Sequence, residues 1–126
     1  MKKHPIEDFR SANDELREFT GTTMYYIHQF GMKFTEGVHA ARERFKCFWL
    51  IDDIAIFKKE ISNQPFQFWV LTRVFNEGNR TNRFMLRCED GDYKVLWTKM
   101  YEFSNFEADQ IQFFLEYGVL LLPSEH

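Results

Sequence analysis

The fold is decided by residues 66–101, which read FQFWVLTRVFNEGNRTNRFMLRCEDGDYKVLWTKMY. From Phe66 to Phe75 apolar residues occupy both odd and even positions, which is typical of a strand covered on both faces. Arg83 to Cys88 has apolar residues at every second position, Phe84, Leu86 and Cys88, and lies between two segments with turn composition, 76–79 and 89–92. The stretch therefore predicts an antiparallel sheet built around a hairpin.

A four-residue loop at 89–92 would set the register of this hairpin. One face would then be apolar, because its pairs are Cys88 with Tyr93, Leu86 with Val95, and Phe84 with Trp97. On the other face, the candidate basic residues are Arg83, Arg87 and Lys94, with Met85 and Leu96 beside them. Cations and apolar groups together can bind single-stranded nucleic acid, although no aromatic side chain stacks there. An ordinary solvated or helix-covered sheet face is the alternative.

Two helices are predicted before this sheet. Thr35 is a suitable cap for a helix that begins at Glu36, and the three-to-four spacing of its apolar residues predicts one buried stripe. Residues 47–61 predict a second helix that is apolar on several faces. We expect this second helix to be central and the more buried of the two.

Four further segments complete the predicted architecture. Ser11–Phe19 has helical spacing, and Met24–Phe30 has the aromatic and β-branched content of a short strand. Ser104-Asn105-Phe106-Glu107 has the spacing of a capping box and predicts a last helix that ends near Gly118. Val119–Leu122 predicts a short strand that needs a sheet edge. Together these patterns predict a single α+β domain over 1–126, with an antiparallel sheet of about three to five strands and helices on at least one face.

Composition and charge narrow the functional classes. The 16 basic and 19 acidic residues give a net charge of −3 without a long block of either sign, which disfavours general nucleic-acid binding. No signal-like segment or bilayer-length apolar run is present, so a cytoplasmic location without a membrane partner is predicted. Cys47 and Cys88 lack the spacing of a structural zinc site and are predicted to be reduced core thiols, with no metal and no cofactor.

Several short motifs occur in an order that resembles the motif order of a known family. The motifs are FTGT at 19–22, FTEGV at 34–38, FWLID at 48–52, FQFWVL at 66–71, CEDG at 88–91 and GVLLLPSE at 118–125. The chain from residue 16 onward thus resembles an uncharacterised family of small proteins of bacteria, their phages and plasmids. The resemblance implies a cytoplasmic bacterial or mobile-element protein, and it implies no catalytic residue, cofactor or partner.

Two sets of residues are candidates for a functional site. Tyr26, His28 and Asp52 combine an aromatic ring, an imidazole and a carboxylate near apolar groups, and could line a small-molecule pocket or supply acid–base chemistry. Tyr25, Tyr26 and Trp69 are candidates for a protein-partner surface, since aromatic residues are enriched at interfaces. Core packing or solvent exposure is the simpler alternative for each residue.

Three hypotheses about function follow. The sequence contains no nucleophile elbow, no phosphate-binding glycine loop and no His-Glu-x-x-His helix, so it names no catalytic residue. We therefore favour a non-enzymatic module that binds an unidentified protein partner, with a homodimer as one way to complete its burial. A small-molecule-binding domain or minor enzyme with an aromatic-lined pocket, and a nucleic-acid-associated protein using the basic face, are the alternatives.

Overall fold

A computed structural model describes residues 9–21, 24–61 and 64–126 of the chain. Within these residues the chain forms one seven-stranded sheet and two α-helices, which confirms the predicted α+β class. The predicted domain, 1–126, also includes residues 1–8, which lie outside the described residues. The elements in chain order are β1 (Tyr25–Ile27), β2 (Lys33–Thr35), α1 (Glu36–Arg44), α2 (Phe48–Phe57), β3 (Phe66–Asn76), β4 (Asn79–Glu89), β5 (Val95–Tyr101), β6 (Gln110–Glu116) and β7 (Val119–Leu121).

The sheet is larger than predicted, and it is mixed. Its order is β1-β2-β7-β6-β3-β4-β5, and the β2–β7 pair is parallel while the other neighbours are antiparallel. The predicted number of three to five strands was therefore too low, and the prediction of a purely antiparallel sheet was wrong. It missed β2, which has only three residues, and β6, which was predicted to be helical.

Residues 110–116 form the strand β6 and not the predicted helix. Ile111, Phe113 and Leu115 are buried while the residues between them are half-buried, which is the period-two pattern of a strand. Apolar residues on both faces made the segment compatible with either period. The position between β3 and β7 decides the outcome, because a strand there pairs its backbone on both sides.

The β4–β5 hairpin has a longer loop than predicted. Trp97 pairs with Cys88 and not with Phe84, because the carboxylate of Asp90 accepts hydrogen bonds from the backbone N–H groups of Asp92 and Lys94 and closes a wider turn. The predicted register was wrong by four positions along β4, and a shift by an even number of residues leaves each side chain on the same face of the sheet. The predicted inward residues of β4 therefore still point inward.

The two α-helices that form, α1 and α2, agree closely with the sequence prediction. The hydroxyl oxygen of Thr35 accepts a hydrogen bond of 3.2 Å from the Val38 backbone N–H and caps α1 as predicted. Helix α2 buries Leu50, Ile51, Ile54 and Ala55 completely. The helix predicted at Ser11–Phe19 is only a 3₁₀ turn, Ala12–Leu16.

The core lies between the helices and one face of the sheet, here called the inner face. Buried side chains of β3, β4 and β6 form this face, and they belong to one cluster with the buried residues of α1 and α2. The opposite, outer face is less covered, and Phe66, Phe68 and Phe114 form a half-buried aromatic cluster there with centroids 5.3 Å apart. Because side chains alternate along a strand, each strand contributes to both faces.

Candidate functional site

The structure brings His28 and Asp52 together. His28 follows β1, Asp52 lies on α2, and Nε2 of the imidazole is 2.6 Å from Oδ1 of the carboxylate. The other ring nitrogen, Nδ1, accepts a hydrogen bond of 3.0 Å from the Phe30 backbone N–H. Since His28 is only 6% exposed and both ring nitrogens have partners, the pair acts as a joint between the β1 segment and α2. This geometry leaves no ring nitrogen for substrate chemistry.

Tyr26 makes its ring contacts elsewhere. Its ring stacks on His39 at 4.3 Å and on Phe34 at 5.4 Å, on the inner face beside α1. None of the three predicted pocket residues lines the cavities described below. The predicted pocket of Tyr26, His28 and Asp52 thus consists of one joined pair and one separate packing residue.

The residues predicted for a partner surface are also separated. Trp69 is completely buried in the core, where its indole N–H donates a hydrogen bond of 2.9 Å to Oε1 of Gln67. Trp69 is therefore not part of any surface of the folded chain. Tyr25 and Tyr26 are neighbours in β1 and point to opposite faces of the sheet, so only Tyr25, which is 54% exposed, remains accessible on the outer face.

A groove lies beside Tyr25 at the end of the sheet. Tyr25, Ile27, Lys33 and Val119 line about 300 Å³ of space on the outer face, and we call this cavity the edge groove. Ile27 is 74% exposed. A neighbouring cavity of about 350 Å³ shares Tyr25 and Val119 and extends to Tyr117. The edge groove is therefore mainly apolar apart from Lys33, and the neighbouring cavity adds the carboxylates of Glu116 and Glu125.

A second cavity lies at the opposite end of the sheet. Trp49 of α2 and Tyr101, Phe103, Ser104 and Asn105, at and after the end of β5, line about 340 Å³. We call this cavity the aromatic pocket. The Trp49 and Tyr101 rings meet edge to face, with centroids 5.1 Å apart and an interplanar angle of 67°.

The hydroxyl of Tyr101 is fixed from behind the aromatic pocket. It donates a hydrogen bond to the Asp53 carboxylate, whose Oδ2 also lies 3.7 Å from Nζ of Lys99. Burial and this hydrogen bond raise the pKa of Tyr101 above its ordinary value. Sequence reasoning missed the pocket because 104–105 were assigned to a helix cap. The aromatic residues at 101 and 103, two positions apart, were the available signal.

The predicted basic face is balanced by carboxylates. Nε of Arg87 lies 2.5 Å from Oε2 of Glu89, and Nε of Arg83 lies 3.2 Å from Oε1 of Glu102. Lys94 belongs to the turn before β5, and Arg87 pairs with Thr98 instead. The register correction and the two ion pairs thus disperse the local positive charge.

A charge cluster centred on a buried carboxylate was not predicted. The carboxylate of Asp109 is 2% exposed, and its oxygens lie 2.7 Å from Nε of Arg73 and 2.7 Å from Nη2 of Arg80. The backbone N–H of Arg10 also donates to it at 2.6 Å. Burial acts to raise the pKa of Asp109, but the three donors outweigh burial and hold the pKa below its ordinary value. This network joins the start of the described chain to β3, β4 and the segment before β6.

Other site classes can be compared with the described residues. Within 9–21, 24–61 and 64–126, no group of three or more His, Cys, Asp or Glu side chains is placed to hold a metal ion. Cys47 and Cys88 are free and buried, as predicted for core thiols. No helix in the described part of the chain combines the length and apolar composition that a membrane crossing requires.

Comparison with known proteins agrees with the motif resemblance. No curated protein and no solved structure matches this chain. One family model does match, and it covers residues 10–126, so that it extends the resemblance seen from residue 16 onward. Two of the quoted motifs, FTEGV and GVLLLPSE, contact each other through the parallel β2–β7 pair. The chain therefore belongs to a family of unknown function, DUF6876.

Proposed function

We propose that this chain is a non-enzymatic protein-interaction module that binds an extended segment of a partner protein in the edge groove. The observation that carries the proposal is the exposure of apolar side chains on a terminal strand of the sheet, with Tyr25 at 54% and Ile27 at 74%. Contiguous exposed apolar surface of this kind marks binding sites more often than it marks ordinary protein surface.

The backbone of β1 supports binding by strand addition. Residues that direct their N–H and C=O groups toward the partner strand alternate with residues that direct them away. The His28 N–H donates to the Met32 carbonyl at 2.7 Å, so the backbone of Tyr26 faces β2 as well. The backbone groups of Tyr25 and Ile27 consequently face away from β2. Within the described residues no strand pairs with this side of β1. An extended peptide can bind these groups as an added strand.

The side chains of the edge groove indicate the chemistry of the partner. Tyr25, Ile27 and Val119 offer apolar contacts, while the exposed Lys33 supplies a positive charge among them. A complementary segment carries an apolar side chain for the groove and a nearby carboxylate for Lys33. Such a segment would be three to four residues long where it pairs, because β1 has three residues.

The origin and location of the module are part of the same proposal. The motif resemblance supports a bacterial or mobile-element protein that acts in the cytoplasm. A second copy of the chain is the competing occupant, since two β1 strands could pair across a two-fold axis. The test below distinguishes these occupants.

The test compares the wild type with two matched lysine variants. Ile27→Lys places a charge in the edge groove, whereas Val95→Lys places the same charge on an exposed β-branched residue at the other end of the sheet. Each tagged protein is purified from the native host, and its mass in solution and its co-purifying proteins are measured. A synthetic peptide from each captured protein is then titrated onto the three chains.

We expect a peptide from one captured protein to bind the wild type and Val95→Lys with similar affinity. The same peptide should bind Ile27→Lys at least about tenfold more weakly. Equal peptide binding by all three chains would place the interaction outside the edge groove and overturn the proposal. A wild-type dimer that Ile27→Lys converts to a monomer would also overturn it, because the occupant would then be a second copy.

A further inference from the structure

The aromatic pocket, made of Trp49, Tyr101, Phe103, Ser104 and Asn105, has an uncharged lining. None of these five side chains is ionised at neutral pH, and the Tyr101 hydroxyl donates a hydrogen bond to the Asp53 carboxylate. The ammonium group of Lys99 lies 3.7 Å from Asp53 and 4.9 Å from the centroids of Phe57 and Tyr101. This cation is therefore already engaged, and the pocket offers no free charge to an ionised ligand.

The size and rings of the pocket favour a flat ligand. Its volume of about 340 Å³ lies at the lower end of small-molecule sites, which span roughly 300–1,000 Å³. Trp49 and Tyr101 already meet edge to face, so an added ring can stack on one face of Trp49 or on the 72% exposed Phe103. Planar ring systems stack well on such side chains.

Two polar side chains can contact the edge of a flat ligand. The oxygen of Ser104 accepts a hydrogen bond of 3.2 Å from the Phe106 backbone N–H, which positions its hydroxyl and leaves the proton to donate. Asn105 is exposed, and its amide carries both donors and an acceptor. An amide of this kind matches the adjacent donor and acceptor of a nucleobase edge.

We propose that the aromatic pocket binds an uncharged planar heterocycle of nucleobase size, stacked on Trp49 or Phe103 and hydrogen-bonded by Ser104 and Asn105. The ligand class is a base presented by a free nucleoside, since the engaged Lys99 leaves the lining without a partner for phosphate. The inference is independent of the edge groove, because β1 and β5 are at opposite ends of the sheet.

The binding test uses the whole chain with adenosine, guanosine, cytidine and uridine, followed by adenosine monophosphate and a six-nucleotide single strand. Tryptophan fluorescence and calorimetry report the titrations. We expect saturable binding of at least one nucleoside with a dissociation constant below about 1 mM, and no gain in affinity from the phosphate. The six-nucleotide single strand tests whether the base belongs to a nucleic acid. If the protein binds this oligonucleotide more tightly than the nucleosides, with an affinity that falls steeply as salt is added, the pocket is part of a nucleic-acid surface and the proposal is overturned.

Variants locate the binding. Phe103→Ala and Asn105→Ala change exposed side chains and are expected to fold, which thermal unfolding checks, and each should weaken nucleoside binding about five- to tenfold. Tyr93→Ala, which removes an 85% exposed aromatic ring from the turn between β4 and β5, is the matched control and should leave the affinity unchanged. Absence of saturable binding by all four nucleosides, or an affinity of both Phe103→Ala and Asn105→Ala equal to that of the wild type, would refute the assignment.

Discussion

The backbone N–H of Gly37 donates a hydrogen bond of 3.1 Å to Oε2 of Glu125 and joins the first turn of α1 to the last residues of the chain. The other carboxylate oxygen, Oε1, accepts hydrogen bonds from the Thr35 hydroxyl at 2.6 Å and the Leu122 backbone N–H at 2.9 Å. A Cβ atom on Gly37 would lie 2.6 Å from the carboxyl carbon of Glu125. Glycine is thus the residue that permits this close approach.

The first prediction is that Gly37 and Glu125 are energetically coupled. Gly37→Ala alone should lower the free energy of unfolding by about 1–2 kcal/mol, because it displaces a carboxylate held by three donors. Glu125→Ala should cost a similar amount through the lost hydrogen bonds. In the double variant, alanine should be tolerated at position 37, because alanine stabilises a helix by about 1 kcal/mol relative to glycine.

Urea unfolding of the two single variants and the double variant measures the coupling. We expect the double variant to be more stable than the sum of the single effects implies, by about 2–3 kcal/mol. Additive effects would show that the close approach of Gly37 and Glu125 has no energetic consequence.

The second prediction concerns the buried carboxylate of Asp109. Asp109→Asn should lower the free energy of unfolding by about 3 kcal/mol, since it removes the carboxylate charge that faces the buried guanidinium of Arg73. Asp14→Asn is the control, because Asp14 and Arg17 form an ion pair that is largely exposed on both sides. The control should change stability by less than about 0.5 kcal/mol.

The same pair of variants tests the pKa of Asp109. Its folded pKa is lowered, so its contribution to stability is complete above the ordinary value of 3.8 and is lost as the pH falls below that value. Chemical unfolding from neutral pH down to about pH 3 should therefore show the gap between wild type and Asp109→Asn becoming smaller. A gap that stays constant would contradict the lowered pKa.

The third prediction applies to alkaline conditions. The folded pKa of Tyr101 is raised, so the stability that it contributes is complete below the ordinary value of 10.0 and declines as the pH rises above it. Tyr101→Phe has no hydroxyl to ionise at this position. The variant should be less stable than wild type at neutral pH by about 1 kcal/mol, and the difference should shrink above pH 10.0. Parallel stability curves would exclude this role of Tyr101.

The fourth prediction is that neither thiol reacts in the folded chain. Burial raises the pKa of Cys47 and of Cys88 to about 12, so almost no thiolate exists at neutral pH. Labelling by a disulfide reagent should proceed at the rate of unfolding and become fast for both thiols in urea. Rapid stoichiometric labelling of the native protein would show that a thiol is accessible.

The sequence predicted local structure best where one period was unambiguous. The cap at Thr35 and the strand after Phe66 could be predicted, because each depends on neighbouring residues only. The assignment of β6 failed since Ile111, Phe114 and Leu115 fit a helical stripe as well as they fit a strand. The contacts that make this segment a strand come from β3, which is distant in sequence, and from β7, which follows across a turn.

The candidate sites were harder to predict for a related reason. Aromatic content indicated surplus rings, but it could not tell that Trp69 is buried and Phe103 is 72% exposed. The aromatic pocket combines Trp49 with residues that follow β5, and only the tertiary fold brings them together. Tyr25 was proposed for a partner surface from its aromatic character alone, and the fold leaves its side chain 54% exposed.

The parallel pairing of β2 with β7 also sets an order of events during biosynthesis. Lys33 and Phe34 pair with Val119 and Leu120, so more than 80 residues must be made after β2 before its partner exists. While the ribosome extends the chain, β1, β2 and α1 have no sheet to join, and the nascent chain exposes their apolar side chains to chaperones. Strands β3, β4 and β5 pair with close neighbours in sequence and can form first. The segment from β1 to α1 is thus among the last to join the rest of the sheet.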